Sequence, residues 1–388
     1  MEMSVLKELI VLLCLANFVF AELQIGEFTT VGDKDFYIDS VIRASNRTRV
    51  YKAFYGTQPF AIKEVVMNAT RKSSRYTREI DLLKALRGVD EVIHLETYQV
   101  TNDRMYIVTE YADEDLHRYF FRMGRKMGID SIWEGMLQCV KALHARNIAH
   151  FDIKLENFVV TTGGKIKIID FGHARKLVAN RPTVDFTVPP SIGTRPYFAP
   201  EKLISYIDGL YRVGFPTDIW ALGVALYLLV YKQVPFRDLM HNDKDLECIA
   251  QINIKCFIEY PLVKYPNLTK FVDIMKRLLV RDSLKRPSAS TLLEEFEQEK
   301  KEEKRLSDWY LSSLPNFVPI SATEAPRSVR MERDSDLPGP SSPERLYKHH
   351  KLGEPITYTM PPAEVLTSNY LRQLDEDMRS RRDLHRRN

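Results

Sequence analysis

The sequence predicts an α+β fold of two lobes, a small strand-rich lobe over residues 36–110 followed by a larger, mainly helical lobe over residues 111–297. Two observations carry this. In the first stretch, short runs rich in Val, Ile, Tyr and Phe recur between charged turns: FYIDSVI, RVYKAFYG, FAIKEVV, IHLETYQV and MYIVTEY. In the second, SIWEGMLQCVKALHARN and DIWALGVALYLLVYKQV are long and helical in pattern, and the latter is apolar almost all round, as a buried central helix would be.

A single helical pattern interrupts the strands. It is RYTREIDLLKAL, with Ile80, Leu83 and Leu86 at helical spacing. Past Glu297 the composition shifts to the charge run EQEKKEEKR, and residues 313–388 hold nine of the chain's 20 prolines. Residues 298–388 therefore read as a charged, largely disordered tail. Within it, Leu366, Tyr370, Leu374 and Met378 recur every four residues and suggest a short amphipathic helix. The stretch SDWYLSSL, from Ser307 to Leu314, offers apolar anchors for a docking partner.

Composition narrows the classes. With 388 residues, 44% hydrophobic and 28% charged, the chain reads as globular, neither disordered throughout nor membrane-spanning. A net charge of +4 gives no argument for nucleic acid as a partner. The four cysteines, at 14, 139, 248 and 256, form no C-x-x-C pair, which excludes the common zinc patterns and a dense disulfide framework. Leu9–Ala21 is uncharged, too short to span a bilayer and suited to a signal-peptide core, with Val19 and Ala21 at the −3 and −1 positions of a cleavage site. Residues 1–21 are thus expected to be a signal peptide, favouring the secretory pathway; the alternative is a short apolar helix on a cytoplasmic protein.

The residues that carry chemistry fit phosphoryl transfer. That reaction needs fixed positive charge on the phosphates, oxygen ligands for magnesium, and a carboxylate to orient the attacking hydroxyl. Lys63 ends FAIK on a strand, and Glu79, sixteen residues later on the helix, would pair with its ammonium. In HFDIKLENF, Asp152 is the candidate base, and Lys154 would neutralise the phosphoryl group in transit. Asn157 and Asp170, the latter in IIDFG, supply oxygens that suit magnesium, with manganese as the alternative cation.

Taken together, FAIK, HFDIKLEN, DFG, GTRPYFAPE, DIWALG and Arg286 in RDSLKRPSAS resemble the signature set of the eukaryotic protein kinases, in order, over residues 36–297. The resemblance implies ATP as cofactor, protein substrates and a two-lobed kinase fold. Lys154 with Thr194 resembles the serine/threonine type. Thr109 would stand at the back of an adenine pocket lined by Val50 and Ala61, with Glu110 to Ala112 as the hinge. Asp115 is either a ribose contact or a surface turn. Glu201 and Arg286 would form an ion pair, and Asp218 would anchor the catalytic loop.

Two departures stand out. Where the family carries three glycines over the phosphates, this chain has Arg43, Ser45 and Thr48, so weakened nucleotide affinity is expected. Arg43 either lends charge to the nucleotide or points to solvent. Phe151 stands where the family often has an arginine that grips an activation-segment phosphate, and phenylalanine cannot do so. The expectation is a protein serine/threonine kinase, the rival a pseudokinase scaffold that works by binding partners.

Overall fold

The computed structural model describes residues 23–67, 74–122, 127–178, 183–188, 190, 192–205, 208–236 and 257–313. The signal-like segment, the pattern at Leu366–Met378 and the rest of the chain beyond Ser313 lie outside them. The chain divides into two units, Met1–Glu297 and Gln298–Asn388.

The first unit begins with six antiparallel strands: β1 (Phe28–Val31), β2 (Lys34–Ala44), β3 (Thr48–Tyr55), β4 (Gln58–Val66), β5 (Leu95–Val100) and β6 (Arg104–Glu110). Their spatial order is β1-β2-β3-β4-β6-β5. The strand-like runs of the sequence account for β2 to β6. The first strand was not anticipated, because FTTV is short and its alternation weak. A tight turn at Gly32 makes it: the backbone there is left-handed (φ 68°), and a Cβ would come 2.5 Å from the Thr97 hydroxyl. Gly32 N–H also donates to Gln99 at 3.0 Å, and Lys34 pairs with Glu96. The sheet therefore curls until its first strand reaches β5.

Strand alternation divides the sheet into two faces. Phe36, Ile38, Tyr51, Ala53, Phe60, Ile62 and Val108 fill the inside of the curl. Buried with them is Glu64, which pairs with Arg104 and accepts a 3.0 Å hydrogen bond from Tyr51. The register pairs Val50 with Arg43 and Lys63, and Ala61 with Thr109. Directly opposite residues of an antiparallel pair point the same way, so Arg43, Val50, Ala61, Lys63 and Thr109 share the other face.

Helix α1 (Ser74–Ala85) buries Ile80, Leu82 and Leu83, and Leu86 beyond its end, against that second face. The large lobe is built on α3 (Ile129–His144), which follows the short α2 (Leu116–Arg122), and on α4 (Phe215–Tyr231). Thirteen of the fourteen positions of α4 from Thr217 to Val230 are buried, Leu228 being the exception, as its all-round apolar pattern requires. Helix α5 (Thr269–Leu278) adds Phe271, Met275 and Leu278 to the same core.

The catalytic-loop region hangs between short strands. β7 (Glu114–Asp115) pairs with β9 (Phe158–Val160), which pairs with β10 (Ile166–Ile168). The backbone of Glu91 and Ile93 bonds Ile168 at 2.9 and 3.2 Å, stitching the small lobe to the strand that leads into Asp170. β8 (Ile148–Ala149) pairs with β11 (Arg175–Lys176), and β12 (Thr183–Phe186) pairs with β13 (Tyr211–Gly214).

Helix α6 (Ala289–Ser313) runs beyond the point where the sequence reads as tail. The charge run has no Gly or Pro and is rich in Glu and Lys, strong helix formers, with a pair such as Glu302–Arg305 at helical spacing. Among the described residues no helix is long and apolar enough to cross a membrane.

Candidate active site

Two clusters of side chains meet below the sheet. In the first, Lys63 on β4 donates to both oxygens of Glu79 on α1, at 2.7 and 3.0 Å, and to Asp170 Oδ1 at 2.7 Å. Burial opposes the ammonium, but the Asp170 and Glu79 charges outweigh it and hold the Lys63 pKa above the ordinary lysine value. The same lysine holds the Asp170 carboxyl well below the usual carboxylate range. Asp170 adopts a left-handed backbone (φ 65°), which turns its side chain towards Lys63.

In the second cluster, Asp152 is 6% exposed and both its oxygens are engaged. Thr194 Oγ1 donates to Oδ1 at 2.7 Å, Lys154 Nζ lies 3.0 Å from Oδ2, and Asn157 Nδ2 donates to Oδ2 at 3.0 Å. Lys154 also donates to Thr194 Oγ1 at 2.7 Å. Burial works against the Asp152 carboxylate, but the Lys154 charge and the Thr194 hydroxyl more than offset it, so its pKa lies below the ordinary value. Asn157 Nδ2 donates a second bond to the Asp152 carbonyl at 2.8 Å, which leaves the amide oxygen as its free acceptor. Its backbone carbonyl accepts from Ile169 N–H at 2.9 Å, so the Asn157 and Asp170 segments lie side by side.

The backbone beneath is held by Asp218, the fourth residue of α4. Its carboxylate accepts the N–H groups of His150 and Phe151, both at 2.8 Å, and His144 Nε2 lies 3.0 Å away. These bonds stabilise the left-handed backbone of Phe151 (φ 62°), a conformation that costs a non-glycine residue about 1–2 kcal/mol. On the other side, Gly193 (φ 92°) allows the loop before Thr194 to approach: a Cβ there would meet the Phe151 carbonyl at 2.4 Å.

The remaining nucleotide-side candidates are less uniform. Arg43, Val50, Ala61 and Thr109 share the face that bears Lys63. Arg43 and Ser45 are exposed, and Ser45 closes the hairpin by bonding Thr48 through both its backbone and its hydroxyl. At the hinge, Glu110 N–H is taken by the His94 carbonyl at 3.0 Å, and the Glu110 carboxylate by Lys167 and by His94 N–H. Tyr111 and Ala112 follow as irregular backbone. Asp115 caps α2, accepting Arg118 N–H at 2.9 Å.

Phe151 is buried in an apolar cluster with Ala149, Leu177 and Val213, against which Val184, Phe186, Ile192 and Phe215 pack. Sequence reasoning identified Phe151 as a lost phosphate grip but did not identify these partners. They come from three segments far apart in the chain, so no local pattern joins them.

Residues 45–296, well over half of the chain, match the protein kinase domain family. The chain is 31% identical over 249 residues to a serine/threonine-protein kinase MPS1 of Encephalitozoon cuniculi, covering 63% of this chain and 40% of that protein. It is 32% identical over 299 residues to the serine/threonine-protein kinase mph1 of Schizosaccharomyces pombe, covering 69% and 43%. With the dual specificity protein kinase Ttk of Danio rerio it shares 27% over 279 residues, covering 69% and 28%. The chain thus spans less than half the length of each of these curated relatives. The matched region contains both clusters, the Asp218 anchor and strands β3 to β6 of the sheet: the chain belongs to the protein kinase family.

Proposed function

We propose that this chain is an ATP-dependent protein serine/threonine kinase, transferring the γ-phosphoryl group to hydroxyls of protein substrates. The observation that carries the reading is the pair of adjoining clusters: Lys63 tied to Glu79 and Asp170, and Asp152 tied to Lys154, Thr194 and Asn157.

In this reading the nucleotide lies against the sheet face bearing Val50, Ala61 and Thr109, with the Glu110–Ala112 backbone as hinge and Lys63 on its phosphates. Asp152 orients the attacking hydroxyl and takes its proton, while Lys154 offsets charge on the phosphoryl oxygens. Asn157 and Asp170 would hold magnesium, or manganese. One carboxylate and one amide oxygen are hard donors that need phosphate oxygens and water to complete a coordination sphere, which is how Mg2+ is commonly bound beside nucleotides. Such a cation supplies charge neutralisation at the phosphates. Among the described residues no group of three or more His, Cys, Asp or Glu side chains forms a cage of its own.

The test is incubation of the purified protein with labelled ATP, magnesium and a generic protein substrate. Label on serine or threonine supports the reading. Nucleotide binding without transfer supports the scaffold alternative, which the glycine-free loop favours. Since one relative is named a dual specificity kinase, phosphoamino-acid analysis of the product distinguishes that outcome through label on tyrosine.

Regulation follows from Phe151. An apolar cluster around this side chain and the four-pair ladder between β12 and β13 hold Leu177, Thr183–Phe186 and Ile192, all of which follow DFG. Activity is therefore expected without phosphorylation of that segment. Alanine at Thr183, Thr187 and Ser191 together should leave phosphotransfer within about threefold of the parent, and a loss near a thousandfold would contradict this.

The signal-peptide reading of residues 1–21 is a separate proposal. N-terminal sequencing of the mature protein decides it: a start at Glu22 indicates export, an intact Met1 the cytoplasm.

A further inference from the structure

Lys202 has surroundings that the roles above do not explain. It ends the 3-10 turn Pro200–Lys202 and is 2% exposed. Among the described residues no carboxylate lies within ion-pair distance of it. Burial lowers its pKa to about 8, against the pull of the Asp218, Asp152 and Glu201 charges. A buried amine without a counterion is costly unless its protons are accepted. Here Nζ donates to the Ile192 carbonyl at 2.9 Å and the Phe151 carbonyl at 3.3 Å, and it faces the Phe198 ring 4.7 Å from its centroid.

The two carbonyls belong to different segments. Phe151 immediately precedes Asp152, and Ile192 lies two residues before Thr194. Between them is Gly193, where even a Cβ would sit 3.1 Å from the Lys202 amine and 3.4 Å from Asp152 Oδ1. The same small cavity is lined by Asp152, Thr194 and Lys202. The lysine therefore joins the backbones on either side of the Thr194–Asp152 hydrogen bond, without touching the reacting atoms itself.

We propose that Lys202 is a positioning residue for phosphoryl transfer, tying the Ile192–Thr194 segment to the catalytic-loop backbone so that Thr194 stays seated on Asp152. The proposal rests on the kinase reading. Loosening the tie displaces Thr194 and Asp152 relative to each other, and misplacements of about 1 Å near a reacting centre cost on the order of a hundredfold in rate.

A double-mutant cycle with Lys202→Met and Thr194→Val tests it in the full-length protein. Lys202→Met is expected to lower kcat by about 10–100-fold with the KM for ATP within about twofold, because the Lys202 amine bonds the Phe151 and Ile192 carbonyls and none of the residues assigned to the adenine pocket or the hinge. The double variant should be no slower than the slower single variant, since Lys202 acts through Thr194. Multiplying losses, or a folded Lys202→Met with kcat within twofold of the parent, would overturn the proposal. Should circular dichroism show Lys202→Met to be unfolded, Lys202→Gln, which keeps an N–H donor but not the charge or the reach, enters the same cycle with the same outcomes. If the parent itself transfers no phosphate, the kinase reading fails instead, before the cycle begins.

Discussion

Replacing Asp152 with asparagine is expected to reduce phosphoryl transfer by about 10²–10⁴-fold while leaving nucleotide binding intact. The substitution is nearly isosteric and preserves an oxygen for the Thr194 hydroxyl, while the bonds of Asn157 to the Asp152 carbonyl and of Asp218 to the backbone N–H groups of His150 and Phe151 keep the catalytic loop in place. What disappears is the negative charge and the ability to accept a proton from the incoming hydroxyl. Binding should persist because Lys63, Glu79 and Asp170 form a cluster of their own. Single-turnover assays beside a nucleotide titration read both quantities. Transfer undiminished in the variant would remove Asp152 from the chemistry.

The pH dependence follows from the same carboxylate. Its folded pKa is depressed, so the ionised form persists at least down to the ordinary aspartate value of about 3.9. The base should thus stay competent from pH 8 to 5, and any stability that Asp152 contributes is lost only as pH falls through its lowered value. An acid limb near pH 6 that vanishes in Asp152→Asn would contradict this.

Arg286→Met is expected to destabilise the domain by about 3–5 kcal/mol. Arg286 is buried and meets Glu201 in two parallel bonds of 2.8 and 2.9 Å. Its other protons go to the carbonyls of Pro216, Val280 and Arg281 at 2.8, 3.0 and 3.4 Å, and its Cζ lies 5.1 Å from the centroid of the Trp220 ring. Removing it leaves the Glu201 carboxylate buried with the Thr217 hydroxyl, at 2.9 Å, as its remaining side-chain partner among the described residues. The double variant Glu201→Gln with Arg286→Met should recover part of the loss, because no uncompensated charge remains. Denaturant unfolding of the three variants measures it; a single-variant loss below 1 kcal/mol would show the pair to be dispensable.

The sequence revealed the two-lobed fold because its elements are locally consistent. The alternating runs became β2 to β6, and the all-round apolar stretch became the buried helix α4. The hairpin strand β1 was hidden because it is four residues long and is held by a turn and by the distant Thr97 and Gln99. The reach of α6 was hidden because a solvated charge run and a polar helix have the same composition. At the site, motif spacing singled out Lys63, Asp152 and Asp170, but Lys202 looked like any lysine after a glutamate.

The sequence by itself determined which residue types are present for phosphoryl transfer and in what order, because periodicity and short motifs are properties of neighbouring positions. Only the tertiary structure decided that Phe151 belongs to an apolar cluster, that Asp115 caps a helix, and that the Lys202 amine joins two backbones beside Asp152. Each of these depends on burial and on contacts between segments distant in the chain, and burial is what turns a side chain's charge or bulk into a constraint.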